Sequence, residues 1–314
     1  MAADDYLEMS LPVCPESSVL NQYIYNPSIT IIFGSLALAC FIFATIIAFK
    51  YNSVAVFHKK IRTQTISNTI WILYYLVLGL RGASNTVRFA MNRNKEEEAE
   101  KIFFIASLTL SGFTALTLAL ALNHQRKYRS SSSQKQQQLN KETDPLIAPN
   151  DQSGSNHLIS ILKRNVTLSE ILFLFFFICF LVFLYVEIIK ENAVFYYILL
   201  GCCILQHIPV LTLALMITFT RNGGEGPTTQ SRVFLMLGAL FNIFNYLPLF
   251  VWAKFLPGGC PLYVFSWVDL IQLSDFASIL FFFLFLRSEY IRNVEECIWT
   301  AVSQIQDTFD FRLF

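Results

Sequence analysis

Seven long apolar runs separated by polar breaks organise the chain, at about 29–50, 66–90, 102–123, 168–189, 194–219, 232–254 and 262–287. A helix crossing a bilayer needs ~20 mostly apolar residues, and every run reaches that length. The pattern predicts an all-α, polytopic membrane protein built as a seven-transmembrane helix bundle. Residues 1–28 form an N-terminal segment, 29–123 carry helices one to three, and 167–287 carry helices four to seven. Between them, residues 124–166 make one long loop whose Ser130–Ser133 and Gln136–Gln138 runs are too polar to bury a core, so disorder is expected. Beyond Arg287 the pattern changes. Ile291, Val294, Ile298, Val302, Ile305 and Phe309 recur at spacings of three and four, which predicts an amphipathic helix over the C-terminal segment 288–314. Its mostly acidic charges argue against a polybasic lipid-binding helix, leaving a helix under the bundle or a partner-binding tail.

Charge sets the expected orientation. Lys59, Lys60 and Arg62 lie in the first loop, Arg126, Lys127, Arg129, Lys163 and Arg164 in the third, and Arg221 and Arg232 around the fifth. Arg287 and Arg292 lead the tail, whereas the N-terminus has Asp4, Asp5, Glu8 and Glu16 and the second loop has Glu96, Glu97 and Glu98. Alternate loops agree, so the positive-inside rule puts the N-terminus outside or in a lumen and the C-terminus in the cytosol. The opening MAADDYLEMS is acidic and has no apolar core, so the first helix is expected to act as its own insertion signal.

Composition narrows the class. Hydrophobic residues make up 54% of the 314 and charged ones only 14%, against ~25% in soluble domains. A net charge of +1 argues against nucleic acid as a partner, because phosphate neutralisation needs clustered Lys and Arg. The expected surroundings are the lipid bilayer. Most of the seven cysteines, Cys40, Cys179, Cys202 and Cys203 among them, fall in apolar runs and read as small buried residues. Cys14 and Cys260 differ, since both fall in loops on the expected non-cytosolic side, where an oxidising lumen favours a disulfide between them. No CxxC or Cys/His ligand spacing suggests zinc, and no metal or other cofactor is expected.

Polar residues inside the apolar runs are the candidate chemistry. Arg81, Asn85 and Arg88 share one face of the second run at offsets of four and seven. The seventh carries Asp269, Gln272 and Asp275, and a carboxylate in hydrocarbon requires a partner or a watery cavity. Counting inward from the outer ends puts Asp269 level with Arg81, so an Arg81–Asp269 pair is expected; Arg88, nearer the end, is expected to snorkel. Gln206 and His207 of the fifth run, with Asn242 and Asn245 of the sixth, are candidate companions for Asp275. Two readings stay open for this polar pocket: ion pairs and hydrogen bonds that fix helix packing, or an outward-facing site for a ligand or proton. Pro209 and Pro248 should kink the fifth and sixth helices beside it.

An enzyme is not expected. Seven-helix membrane metallohydrolases need several His and carboxylate ligands, and only His207 of the four histidines lies inside a run. No Ser or Cys stands in a nucleophile elbow or dyad spacing. In the third loop, Glu142 stands four residues before Leu146 and Ile147, the pattern of an acidic dileucine sorting signal read by clathrin adaptors.

Seven spans invite comparison with G-protein-coupled receptors, but the main class's Asp-Arg-Tyr is replaced by Asn123-His124-Gln125-Arg126, and its Asn-Pro-x-x-Tyr by Ser274-Asp275-Phe276-Ala277-Ser278. Leu80-Arg81, the passage LALALNHQRKYRSSSS, the run SRVFLMLGALFNIFN, Pro257-Gly258-Gly259-Cys260 and Phe285-Leu286-Arg287 follow a different pattern. In these stretches the chain resembles the adipocyte-associated family of seven-helix, receptor-like orphan membrane proteins. That resemblance implies a receptor-like fold with no ligand specified. The expected function is a receptor-like or signalling-regulatory protein of endolysosomal or plasma membranes, with an unidentified small ligand or cytosolic signalling partner. The alternative is a small-solute or proton-linked transporter using Asp275, His207 and Arg81.

Overall fold

The computed structural model describes residues 27–51, 59–91, 97–139, 168–190, 193–219, 228–255 and 267–310. Among them are seven α-helices and no strands: α1 (Pro27–Ile46, closed by a π-turn at Ile47–Tyr51), α2 (Lys59–Ala90), α3 (Glu97–Leu139), α4 (Leu168–Lys190), α5 (Ala193–Phe219), α6 (Thr229–Phe255) and α7 (Trp267–Asp310). Two of these, over Ile29–Tyr51 and Glu98–Lys127, are long and apolar enough to cross a membrane, and Ile171–Val186 and Leu205–Phe219 are shorter apolar stretches.

Local chemistry sets the helix ends. Pro27 opens α1, where its fixed φ suits the first turn and its missing N–H would have had no partner anyway. The Thr228 hydroxyl caps α6 by accepting from the Ser231 N–H at 3.1 Å. In α3, Thr109, Ser111, Thr114 and Thr117 donate back to carbonyls four residues earlier, so four hydroxyls are satisfied within the helix itself.

Two helices run further than the apolar pattern suggests. The α3 helix continues to Leu139, so the first part of the loop expected to be disordered is helical. Nothing there stops it: between Gly112 and Pro145 the sequence has neither Gly nor Pro, and extending a formed helix avoids the cost of nucleation. Likewise α7 continues unbroken into the amphipathic tail, as one helix of 44 residues. The dileucine signal at Glu142, Leu146 and Ile147, and the cysteines Cys14 and Cys260, lie outside the described residues.

Neighbours in sequence pack as neighbours in space. α1 packs on α2, α2 on α3, α3 on α5, α5 on α6 and α6 on α7; α7 returns to α1, and α4 lies against α3 and α5. Paired contacts fix the directions. Gly34 meets Thr86 while Gly79 meets Phe41, so α1 and α2 are antiparallel. Phe43 stacks on Phe283 and Tyr51 on Tyr290, so α1 and α7 are parallel. The six-helix ring thus closes on itself.

Close approach is written into two glycines. A Cβ on Gly82 would lie 3.1 Å from the Phe33 carbonyl, and one on Gly112 would strike the Phe180 ring. These glycines bring α2 onto α1 and α4 onto α3. Trp71, Tyr74, Tyr75, Phe282 and Phe285 are fully buried and form the aromatic heart of the ring, between α2 and α7.

Candidate functional site

Directly beyond this aromatic layer, Arg81 Nη2 of α2 donates to Asp275 Oδ2 of α7 at 2.9 Å. Both side chains are sealed, with relative exposures of 7% and 3%. A second bond fixes the same two helices, as the Tyr75 hydroxyl donates to the Ile279 carbonyl at 3.0 Å. From 75 to 81 the chain ascends α2, and from 279 to 275 it descends α7, as antiparallel helices require. Three residues along α7 from Asp275, the Ser278 hydroxyl donates to the Gly238 carbonyl at 3.0 Å and ties α7 to α6.

The expected Arg81–Asp269 pair falls outside the described residues, because the side chain of Asp269 does, as does that of Asn245. Asp275 is the ninth residue of the described α7 and Arg81 the tenth from the end of α2, so the two stand level.

Three further helices contribute. His207 of α5 is fully enclosed, hydrogen-bonded to the buried Asn242 of α6 and within electrostatic reach of Arg81. Cys40 of α1 lies close enough to feel both the Asp275 and Arg81 charges, a participant that sequence reading had set aside as an ordinary core residue. Asn85, Gln272 and Ser274 are buried on α2 and α7 near the pair in sequence. The compared proteins offer no guide. The chain matches no family model, no curated protein and no solved structure.

Gln206 leaves the cluster. One residue along a helix turns the side chain by ~100°, so with His207 facing inward Gln206 points at α4. Its amide Nε2 donates to the Phe176 carbonyl at 3.3 Å. Arg88 does more than reach toward solvent: its Nε donates to Glu100 of α3 at 2.6 Å, and its guanidinium lies 4.3 Å over the Phe104 ring. Glu100 carries a readable signal, a carboxylate one turn inside the next helix.

A second polar group lies at the opposite end. The Ser231 hydroxyl donates to Glu289 Oε1 at 2.6 Å, and Arg292 Nη2 donates to Glu289 Oε2 at 3.1 Å. Tyr51 stacks on Tyr290 at 4.5 Å, and burial pushes the Tyr290 phenol above its ordinary pKa. Glu289 is buried although it follows the last apolar run, and sequence reading did not single it out. Among the described residues no three His, Cys, Asp or Glu side chains gather as a metal ion would need.

The central cluster can hold charge, exchange hydrogen bonds and join helices. An ion pair removed from water costs several kcal/mol per ion in desolvation, recovered only when geometry and further hydrogen bonds are good.

Proposed function

We propose that the chain is a seven-span membrane protein, N-terminus outside and C-terminus cytosolic, of receptor-like or signalling-regulatory type. The observation that carries this reading is the Arg81–Asp275 pair at the centre of a ring closed by α1 and α7. Ionisable groups in such a position lean towards function, because hydrophobic packing would hold two helices without desolvating charge. An anionic ligand group competing for Arg81, or a cationic one competing for Asp275, would loosen α7 from α2 and so reach the cytosolic end. The resemblance to the adipocyte-associated receptor-like family points the same way.

The site of action is proposed to be the endolysosomal membrane, through adaptor binding at Glu142, Leu146 and Ile147. In cells, Leu146→Ala with Ile147→Ala should shift a tagged protein to the cell surface. Unchanged localisation of that double variant removes the compartment from the proposal.

One observation favours the transporter alternative: the buried His207 lies within electrostatic reach of Arg81, whose partner is the Asp275 carboxylate. Reconstituted liposomes holding a pH-sensitive dye separate the two. Proton flux that Asp275→Asn abolishes establishes transport and overturns the receptor-like reading; tight liposomes with wild-type protein support it.

A further inference from the structure

One apolar line runs along α7. Leu273, Ile291 and Phe309 stand 18 residues apart, five whole turns, so the three positions share one edge of the helix. Leu273 and Ile291 are 42% and 43% exposed, and Leu280, within ~20° of the line, is 46% exposed. Asp275, Phe282 and Glu289 are buried and lie ~160–200° around the helix, on the side that packs against α1 and α6. The line therefore looks away from the ring. In the tail it becomes a repeat: Ile291, Val294 and Ile298 return eleven positions later as Val302, Ile305 and Phe309. An eleven-residue repeat has ~3.67 residues per turn, so the stripe stays almost straight on an α-helix. Because α7 is unbroken to Asp310, the stripe leads away from the bundle instead of under it, and position 309 is about 33 Å beyond Arg287.

We propose that this line is the contact face of a homodimer, two α7 helices lying parallel from Leu273 to Phe309. The proposal rests on the membrane-spanning reading, which holds both copies the same way up. A two-fold axis along the membrane normal sets each line against the same line of the other copy. Charge favours a second copy in that orientation. Of the charged residues from 292 to 310, only Glu295 stands within ~60° of the line; Arg292, Glu296, Asp307 and Asp310 stand ~100–160° away, all to the same side. In a parallel two-fold pair this acidic flank meets the opposite flank of the other copy, where positions 290, 297, 301 and 308 are Tyr, Cys, Ala and Thr. Arg287 lies ~40° towards that uncharged flank, so it meets the acidic flank of the other copy. An antiparallel pair would set acidic flank against acidic flank. Size agrees. The line is about 54 Å long, and a strip ~10 Å wide on each copy gives roughly 1,100 Å² in total, just above the ~1,000 Å² of a lasting interface. The tail by itself gives about half that area, so the bilayer and tail segments pair together.

The test uses the full chain in membranes, with Cys297→Ser as background and single cysteines placed along the tail. Copper phenanthroline oxidation should link two copies through Ile298→Cys, Val302→Cys and Ile305→Cys. Thr300→Cys and Ser303→Cys, ~120–180° off the line, should link roughly tenfold less. Ile298→Asp with Ile305→Asp, added to Val302→Cys, should remove its link while the melting temperature stays unchanged, because the line lies outside the ring. Links formed equally around the helix overturn the proposal, as does a Val302→Cys link that survives the two aspartates. A tail held by a different protein would leave every position unlinked, which overturns it too. Carbonate extraction of the same membranes is scored separately: extracted protein overturns the spanning reading, while the linking pattern alone decides the dimer.

Discussion

Arg81 and Asp275 meet at 2.9 Å across α2 and α7, with both side chains closed to solvent. Removing one partner strands the other charge, which typically costs ~3–5 kcal/mol. Arg81→Ala and Asp275→Ala should each lose most of their folded yield in size-exclusion profiles. Arg81→Met combined with Asp275→Leu should recover much of it, since an apolar pair leaves no uncompensated charge. Single variants that melt like the wild type would show that the pair contributes little to holding α2 and α7.

Tyr75 bonds the Ile279 carbonyl next to that pair, yet its loss should be far milder. Tyr75→Phe keeps the ring against Tyr74 and Phe43 and deletes one hydrogen bond, worth ~0.6–2 kcal/mol between membrane helices. A thermal melt should rank Tyr75→Phe well above Asp275→Ala. The reverse order would mean that the hydrogen bond, and not the ion pair, fastens the two helices.

Gly112 and Gly34 make a matched pair for packing. An added Cβ at Gly112 collides with the Phe180 ring, which is fully buried, whereas one at Gly34 finds Thr86 at an ordinary 3.5 Å. Gly112→Ala should destabilise by ~1–3 kcal/mol through overpacking, while Gly34→Ala should be neutral or slightly stabilising because Ala favours helix. Equal melting temperatures for the two variants would place α4 further from α3 than described.

In the proposed topology Cys14 and Cys260 share the non-cytosolic side, and a disulfide between them is expected. Peptide mapping under non-reducing conditions should recover the two cysteines linked. Free, alkylatable thiols at both positions would end this expectation.

Element count was legible because apolar runs of bilayer length carry their own boundaries, and all seven runs hold a helix. Helix ends were less so. Polar residues such as Gln136 and Ser130 signal departure from an apolar environment, but they do not signal departure from a helix, so α3 and α7 were read short. Counting inward set Asp275 deeper than Arg81, whereas the structure joins the two directly. Asp275, His207 and Asn242 were recognisable as intruders in apolar stretches. Gln206 was grouped with them on proximity in sequence, although adjacent helical positions point about 100° apart. Cys40 was invisible as a site residue, because nothing local distinguishes a cysteine beside a charge pair from one among leucines.

The absence of any break in α7 gives the chain a lever. Asp275 lies 35 residues from Asp310 on one continuous helix, about 52 Å at the ordinary rise. A tilt of about 5° pivoting at the ion pair would sweep the far end through about 4–5 Å, a displacement larger than most side-chain rearrangements. Event and readout need no chain of intermediates here: the same rigid rod that carries the carboxylate also carries the tail.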